Sequence, residues 1–384
     1  MQYVNFGNTG YKVSRLGMGC MRLPEYEKDG KTIFDEEKGV ALIQRAIDLG
    51  VNYFDTAPYY CDSQSELILG KALKGGRREK VFVSTKNPIE TNSGDDYEKR
   101  LESSLKKLDI SYIDFYHFWG ISLKDYIESV KIKDGPLDRA IKLKAQGLIK
   151  HISVSFHDGD AGLKEGDNLI ELLKLGEGVL ETLLCQYNLM DQGKEAGIAL
   201  AHKMGVGTVV MGPVGGGRLG APSKVIRDML PEKRWSSAEL ALRFVLANSN
   251  VDIALSGMSS MEQLEENVRV SENTNPLSPS ELEQIKIMTK ENERLAGLYC
   301  TGCRYCLPCP QNINIPEIFT MMNYHRIYQI TDFAKKAYSE IGKFPWTQFE
   351  NAAACTECGQ CETKCPQKLP IRQQLKETHE ALSG

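Results

Sequence analysis

The stretch EKGVALIQRAIDLGVNYFD (37–55) contains two patterns in direct succession. Apolar side chains recur at helical spacing over residues 37–50, and the short apolar run 52–55 then ends in an aspartate. This succession predicts an amphipathic helix followed by a buried strand. The next apolar run, VFVSTK (81–86), leads to another helical pattern at 96–109. The alternation predicts a parallel sheet whose strands are joined by crossover helices.

Eight apolar runs of this kind precede residue 285. They are LGMGCMRL (16–23), NYFD (52–55), VFVSTK (81–86), YIDFYHF (112–118), HISVSF (151–156), TLLCQY (182–187), GTVVM (207–211) and VDIALS (251–256). Eight strand–helix units predict an α/β protein with a (β/α)8 TIM barrel, which typically needs about 250 residues. An open doubly wound sheet is the alternative, although no glycine fingerprint follows the first strand. The segment 2–17 predicts a small hairpin with its turn near Gly7 to Gly10.

Composition and charge limit the functions open to this chain. Its 384 residues allow one large and one small domain, and its net charge of −4 gives no reason to expect a nucleic-acid partner. No apolar run reaches membrane-spanning length, and the N-terminus lacks the apolar core of a signal peptide. We therefore expect a cytoplasmic protein with a barrel over residues 1–288 and a second domain over 289–384. A helix that begins at Ser278 or Ser280 leads out of the barrel.

The cysteines are concentrated near the C-terminus. Only three of the 11 cysteines precede residue 300. A disulfide framework is typical of small secreted chains, so close spacing in a long chain without an export signal indicates metal binding. The eight candidate ligands form two runs: Cys300, Cys303, Cys306 and Cys309, then Cys355, Cys358, Cys361 and Cys365.

Each cysteine run ends in Cys-Pro, as in bacterial ferredoxins. A cubane cluster needs one thiolate for each of its four irons, and in two-cluster ferredoxins the cysteine before proline ligates the other cluster. The second run fits this pattern completely. In the first run only two residues separate Cys306 from Cys309, which leaves the role of Cys309 open. We predict one [4Fe–4S] cluster on Cys300, Cys303, Cys306 and Cys365, and a second on Cys355, Cys358, Cys361 and Cys309.

Two zinc sites are the alternative for these cysteines, because paired C-x2-C units also suit tetrahedral zinc. Zinc does not account for triple runs that each end in Cys-Pro. A helical pattern over 315–342 separates the two runs. The region resembles the all-helical ferredoxin modules, such as that of the iron–sulfur subunit of succinate dehydrogenase. The resemblance implies a small all-α ferredoxin-like domain.

Four polar residues are expected at one mouth of the barrel, because TIM-barrel active sites lie at the carboxyl ends of the strands. Asp55, Lys86 and His117 lie at or near the ends of strands two, three and four, and Tyr60 lies on the loop after strand two. An ammonium beside a phenol lowers its pKa, and a carboxylate would keep that ammonium charged. This set predicts hydride addition to a carbonyl, with Tyr60 delivering the proton, or the reverse alcohol oxidation.

Nearly all of residues 1–285 resembles the aldo-keto reductase family. The similar motifs are DTAPYY (55–60), LGKALKG (69–75), REKVFVSTK (78–86), YIDFYHFW (112–119), HISVSF (151–156), QYNLMDQ (186–192) and EQLEENV (262–268). The resemblance implies a catalytic tetrad of Asp55, Tyr60, Lys86 and His117. It also implies that NADH or NADPH binds across the barrel mouth. Ser155 and Gln186 would hold the carboxamide, Met211 would pack against the nicotinamide, Gly215 would cover the pyrophosphate, and Gly257, Glu266 and Asn267 would lie at the adenosine end.

The two halves predict different electron chemistry, because a nicotinamide gives up two electrons as hydride whereas a cubane accepts one. The favoured function is reduction of a small aldehyde or ketone, or oxidation of the alcohol, with clusters of structural or electron-relay role. In the alternative, an iron–sulfur electron-transfer protein uses another cofactor or a redox partner protein, or its barrel is a degenerate scaffold. The loop at 25–35 and Trp119 are expected near the substrate, whose identity the sequence leaves open.

Overall fold

A closed barrel of eight parallel strands forms the larger part of the protein. The computed structural model describes residues 1–28, 31–157, 165–220, 223–272, 274–297, 300, 305–344, 347–365 and 368–384. Around the barrel the strands follow the order β10-β11-β12-β3-β6-β7-β8-β9, which is the sequence order closed on itself. The strands are β1 (Tyr3–Asn5), β2 (Lys12–Ser14), β3 (Leu16–Gly19), β4 (Glu25–Lys28), β5 (Lys31–Phe34), β6 (Tyr53–Asp55), β7 (Phe82–Pro88), β8 (Ile113–Ile121), β9 (Ile149–Phe156), β10 (Thr182–Gln186), β11 (Gly207–Met211) and β12 (Ile253–Gly257). The (β/α)8 prediction is confirmed.

Helices connect the barrel strands and make up most of the C-terminal region. They are α1 (Glu36–Asp48), α2 (Ser65–Ala72), α3 (Gly94–Leu108), α4 (Leu123–Asp125), α5 (Pro136–Ala145), α6 (Glu165–Leu175), α7 (Glu195–Lys203), α8 (Lys224–Arg227), α9 (Ser237–Ala247), α10 (Met261–Ser271), α11 (Pro279–Gly297), α12 (Ile315–Arg326), α13 (Thr331–Ser339), α14 (Gln360–Lys364) and α15 (Ile371–Leu382). Among the described residues, no helix combines the length and apolar character needed to cross a membrane.

Side-chain caps explain where several helices begin. The Asp35 carboxylate accepts a hydrogen bond from the Lys38 amide at 3.0 Å, and Ser93 caps α3 in the same way. At the start of α11, Ser278 and Glu281 bond reciprocally between side chain and amide. The capping box makes Ser278, one of the two predicted positions, the N-cap residue directly before α11.

An N-terminal hairpin closes the amino end of the barrel. Strands β1 and β2 pair antiparallel, as the sequence predicts. Phe6, between them, is fully buried, and its ring contacts Phe115 edge-on with the centroids 5.0 Å apart. Gly207 begins β11 beside this ring, and a Cβ added there would lie 2.6 Å from it. The hairpin therefore fills the end of the barrel opposite to the predicted active site.

Gly7 is expected to be much less tolerant of alanine than Gly10, although both have positive φ, +47° and +79°. A Cβ on Gly7 would lie 2.4 Å from the Gly207 amide nitrogen, whereas one on Gly10 meets nothing within 4 Å. Gly10→Ala should cost about 1 kcal/mol through its left-handed backbone alone, and Gly7→Ala about 3 kcal/mol through added overpacking. Anaerobic urea unfolding, followed by circular dichroism, measures both; equal losses would contradict the steric argument.

Residues 25–35, expected to be a loop, instead contain a second antiparallel hairpin, β4 with β5. All four residues of β4 are exposed, so this ribbon lacks the apolar alternation from which a strand is predicted. The helical pattern over 315–342 is confirmed in part, since it forms two helices, α12 and α13, rather than one. Between them Gln329 has a φ of +54°, which a continuous helix cannot accommodate.

The chain folds into two compact units. One comprises Met1–Gly216 with Ala241–Leu277, and the other Gly217–Leu240 with Ser278–Gly384. Within the second unit, the Ser223 hydroxyl donates to the Tyr328 carbonyl at 2.7 Å. The apolar core of its C-terminal part includes Ile318 and Leu375. The segment Gly217–Leu240, between β11 and most of α9, is therefore part of the same unit as the cysteine-rich segment.

Candidate functional site

Strand register brings three of the predicted catalytic residues to one end of the barrel. Asp55, at the end of β6, pairs with Ser84 on β7, and Lys86, two residues further on, pairs with His117 on β8. Residues two apart on a strand point to the same face, so Ser84 and Lys86 share the interior side. The carboxyl end of the barrel therefore gathers Asp55, Lys86 and His117, as the sequence predicts.

Asp55 and Lys86 form a buried ion pair. The Lys86 Nζ contacts the Asp55 Oδ1, and side-chain exposure is 1% for the lysine and 3% for the aspartate. The Lys86 ammonium also donates to the Thr56 carbonyl at 2.7 Å. Burial lowers the pKa of Lys86, but Asp55 and Tyr60 outweigh it and the pKa lies above its usual value. The lysine is therefore a fixed positive charge at this site.

Tyr60 stands beside that charge. The Lys86 Nζ lies 4.7 Å from the centroid of the Tyr60 ring. Burial raises the pKa of the Tyr60 phenol, and the neighbouring Lys86, which lowers it, compensates only in part. Lys86 thus acts in the direction expected from the sequence, but desolvation is the larger effect. The phenol is neutral near pH 7, which is the form a proton donor requires.

A strained turn carries the chain from Tyr60 to α2. Cys61, Asp62 and Ser63 all have positive φ, at 53°, 50° and 67°. A left-handed backbone is unfavourable for each of these non-glycine residues. Ser65 stabilises the turn, since its hydroxyl donates to the Cys20 carbonyl at 2.7 Å. The position of Tyr60 therefore depends on contacts made beyond the turn.

Ser84 connects His117 with Asp55. Its hydroxyl donates to the Asp55 Oδ2 at 2.7 Å and lies 2.9 Å from the His117 Nε2. Burial and the Lys86 charge lower the pKa of His117 to about 3, although the Val154 carbonyl acts in the opposite direction. His117 is therefore a neutral imidazole. A serine inside a strand is unremarkable in sequence, and the prediction missed its position between these groups.

Aromatic side chains line the region next to Tyr60. The ring centroids of Tyr60 and Trp119 are 5.6 Å apart in an edge-on contact, and the Tyr59 ring lies at the same distance from Trp119. Tyr59 is 54% exposed, and its hydroxyl donates to Glu90 at 2.6 Å. Trp119 thus lies beside the predicted proton donor.

Two residues expected to hold a carboxamide end neighbouring strands. Ser155 is fully buried near the end of β9, and among the described residues its hydroxyl has no hydrogen-bond partner. A buried hydroxyl without a partner is costly, so the position fits a polar ligand group. Gln186 ends β10, and its side-chain amide nitrogen donates to Asp191 at 2.6 Å. That bond uses one of the two amide protons, which leaves the other proton and the Gln186 carbonyl oxygen for a ligand.

The loop after β11 begins with Met211 and is rich in glycine. Gly215, Gly216 and Gly217 have φ values of 60°, 67° and 97°. The Gly215 amide donates to the Gly212 carbonyl at 2.8 Å, so it closes a turn within the loop. Successive left-handed glycines can orient other amides of the loop toward an anion.

An arginine that the sequence analysis did not identify lies against this loop. A Cβ added to Gly216 would lie 3.7 Å from the Arg22 Nη2, and one added to Gly257 would lie 3.4 Å from the Arg22 Cδ. Arg22 follows the first barrel strand and is remote in sequence from both glycines. It therefore supplies a cation between the two segments expected to bind the pyrophosphate and the adenosine.

The predicted adenosine end lies on β12 and α10. Gly257 is exposed at the end of β12. Asn267 is largely buried, and its amide nitrogen donates to the Ser256 hydroxyl at 3.1 Å. Glu266 precedes it on the same helix. Asn267 thus fixes α10 to the end of β12. Gly257, the last residue of β12, has no side chain and is exposed to solvent.

Five cysteines line one cavity in the second unit. The cavity is partly open to solvent and is lined by Cys306, Cys309, Cys355, Cys358 and Cys361. The sequence analysis predicted four of these five as ligands of a single cluster. Cys306 was predicted for the other cluster but lines the same cavity. Thiolate side chains around an apolar cavity form a donor set that suits an iron–sulfur cluster.

The structure also describes two other predicted cluster ligands, Cys300 and Cys365, but not the eighth, Cys303. Cys300 and Cys365 pack against the same apolar core as the cavity cysteines, and Cys303 lies outside the described residues. In the part of the chain that the structure describes, no three His, Cys, Asp or Glu side chains are grouped to hold a single metal ion. A cubane has a different requirement, because each thiolate binds a separate iron of a larger cage.

Comparison with known proteins agrees with both parts of the chain. The sequence profile of the Aldo/keto reductase family matches residues 15–290, and that of the 4Fe-4S dicluster domain matches residues 299–369. L-galactose dehydrogenase of Arabidopsis thaliana is 30% identical over 288 residues, which are 68% of this chain and 85% of that protein. A probable aldo-keto reductase of Glycine max is 25% identical over 309 residues, 70% of this chain and 84% of the relative.

A solved structure shows the same barrel. The holo form of an aldo-keto reductase from Bacillus halodurans superimposes with a TM-score of 0.62 at 27% identity. The match covers 75% of this chain and 96% of that one. The chain therefore belongs to the Aldo/keto reductase family, as an oxidoreductase that also carries a 4Fe-4S domain.

Proposed function

We propose that this protein uses NADH or NADPH to reduce a small aldehyde or ketone, or catalyses the reverse oxidation of the alcohol. The observation that carries this proposal is the position of Tyr60 beside the buried Asp55–Lys86 pair. Such a constellation supplies a proton donor next to a fixed positive charge, which is what a carbonyl oxygen needs as it becomes an alkoxide.

In this mechanism Tyr60 is the catalytic acid. A bound nicotinamide supplies the hydride. As negative charge develops on the carbonyl oxygen, the Tyr60 hydroxyl transfers its proton to that oxygen, and Lys86 stabilises the tyrosinate that remains. Asp55 keeps Lys86 in place through their ion pair. The neutral His117, linked to Asp55 through Ser84, adds no second positive charge beside the carbonyl.

The nicotinamide nucleotide would lie across the carboxyl end of the barrel. Ser155 is the best-supported contact, because its buried hydroxyl has no partner in the structure. We assign Met211, Gly215, Gly257, Glu266 and Asn267 to the remainder of the nucleotide. Arg22 would meet a phosphate of the nucleotide between the glycine-rich loop after β11 and the end of β12. Residues 258–263, next to the predicted adenosine end, contain no cation. The choice between NADH and NADPH then depends on which phosphate Arg22 contacts.

We further propose two [4Fe–4S] clusters in a C-terminal domain over residues 289–384, following a barrel domain over 1–288. Cys309 would ligate the cluster of the second cysteine run, because it lines one cavity with Cys355, Cys358 and Cys361. The other cluster would use Cys300, Cys303, Cys306 and Cys365. Bound cubanes supply one-electron redox chemistry. Their role is either structural or that of a relay to a redox partner protein.

Anaerobic assays with NADH and with NADPH test this function. We expect oxidation of one nucleotide that depends on an added aldehyde or ketone. The reverse direction should be assayed with NAD+ and NADP+ against an alcohol panel that includes L-galactose. Broad absorbance near 400 nm, followed in the same cuvette, separates the two roles of the clusters. Steady turnover without bleaching supports a structural role, and bleaching by the nucleotide supports a relay. No nucleotide oxidation with any carbonyl, together with no nucleotide reduction with any alcohol, would refute the proposed reaction.

A further inference from the structure

Ser84 occupies the centre of the hydrogen-bond network at the barrel mouth. It is fully buried on β7, with Asp55 on one side and His117 on the other. Asp55 thereby has partners on both oxygens: Lys86 on Oδ1 and Ser84 on Oδ2. The hydroxyl of Ser84 is the group that links the histidine to the ion pair.

The direction of these bonds follows from the donors available. An ionised carboxylate can only accept, so the single Ser84 proton is used in the 2.7 Å bond to Asp55. The Ser84 oxygen must then accept from His117, whose Nε2 lies 2.9 Å away. A neutral imidazole carries one proton, and this bond requires that proton on Nε2.

The other ring nitrogen offers the competing arrangement. The Nδ1 of His117 is buried without a hydrogen-bond partner in the structure. A hydrogen bond with the Val154 backbone raises the pKa of His117, so the Val154 carbonyl is an acceptor available to the competing tautomer. In that tautomer Nε2 would be an acceptor, and Ser84 could not bond to both Nε2 and Asp55 with its one proton. The bond from Ser84 to Asp55 therefore selects the Nε2–H tautomer.

We propose that Ser84 is a positioning residue that sets the tautomer of His117 and the orientation of the Asp55 carboxylate. This inference rests on the proposed carbonyl reduction, in which both groups act around Tyr60. Without the hydroxyl, Asp55 loses the donor on Oδ2, and His117 loses the acceptor that holds its proton on Nε2. The histidine is then free to change tautomer, and the carboxylate is free to rotate away from Lys86.

Substitution of Ser84 tests the kinetic part of the proposal. Ser84→Ala should lower kcat for carbonyl reduction by about 10- to 100-fold, the scale expected for small misplacements in an active site. The KM for the nucleotide should stay within about twofold, because Ser84 touches none of the residues assigned to it. Ser84→Thr, which restores a hydroxyl, should recover most of the rate. An unchanged kcat in Ser84→Ala would overturn the proposal.

Ser153→Ala is the matched control. Ser153 is also a fully buried serine on a barrel strand, but its hydroxyl bonds to Thr182 at 2.5 Å and to none of the four predicted catalytic residues. Its loss should leave kcat nearly unchanged. An equal loss of rate in both variants would show that any buried serine hydroxyl of the barrel is needed for folding, which contradicts a specific role for Ser84.

Nitrogen NMR of the full chain, labelled in its six histidines, tests the geometry without turnover. The His117 signal, assigned through a His117→Asn variant, should show the neutral Nε2–H tautomer in the wild type. It should shift toward the Nδ1–H form in Ser84→Ala. A wild-type Nδ1–H tautomer would overturn the inference even if carbonyls are reduced. Absence of any reduction would refute the proposed reaction while leaving this tautomer measurement intact.

Discussion

Tyr60→Phe is expected to reduce the rate of carbonyl reduction by about 10²- to 10⁴-fold, the range that general acid catalysis contributes. The substitution removes the hydroxyl proton and little else. The phenyl ring can keep its edge-on contact with Trp119, and the Asp55–Lys86 pair is not altered. Steady-state oxidation of the nucleotide measures the loss. The absorbance near 400 nm should not change, because no cluster ligand is involved.

Tyr59→Phe provides the matched control for this experiment. Tyr59 is adjacent in sequence and also contacts Trp119, but its hydroxyl bonds to Glu90. Its replacement should alter kcat by less than about threefold, since an exposed hydrogen bond contributes only about 1 kcal/mol. Retention of full activity in Tyr60→Phe, or an equal loss in Tyr59→Phe, would show that the proton comes from another group.

Cys309→Ala is expected to halve the iron content of the anaerobically purified protein, from about eight to about four atoms per chain. The reason is that Cys309 lines one cavity with the cysteines of the second run, so its loss should leave three ligands for that cluster. Cys358→Ala should have the same effect. Cys185→Ala, in barrel strand β10, should keep all the iron.

Double variants decide which cluster Cys309 ligates. Ligands of one cluster are not additive, so Cys309→Ala combined with Cys358→Ala should still retain about four irons. Cys309→Ala combined with Cys300→Ala should retain almost none, because each variant removes a different cluster. The reverse pattern would place Cys309 on the same cluster as Cys300. Stoichiometric zinc in place of iron would refute both assignments.

The barrel was predictable because its strands are buried on both faces and are therefore nearly continuous apolar runs. Asp55, Lys86 and His117 could be placed because strand ends converge at one mouth. The β4–β5 hairpin was missed because EYEK is polar and fully exposed, so no periodic signal marks it. An apolar alternation in the sequence indicates which side chains are buried. An exposed ribbon has no buried side chains, so no such alternation occurs in it.

Other features depend on register and on contacts between distant residues. Ser84 links two predicted catalytic groups only because β7 lies between β6 and β8. Arg22 reaches Gly216 although nearly half of the chain separates them. The bond from Ser223 to Tyr328 spans 105 residues. Such contacts form only when the tertiary structure brings distant residues together. No local pattern in a single sequence indicates them.

The three residues after Tyr60 that have a left-handed backbone conformation show a conflict between folding stability and activity. Each costs about 1 to 3 kcal/mol in a region of backbone space that ordinary side chains avoid. Selection for heat resistance alone would favour glycine at Cys61, Asp62 or Ser63, which relieves this cost. The same glycines would widen the range of positions open to the neighbouring phenol. The protein thus retains a thermodynamically inferior turn at the point where its proposed acid must be held still.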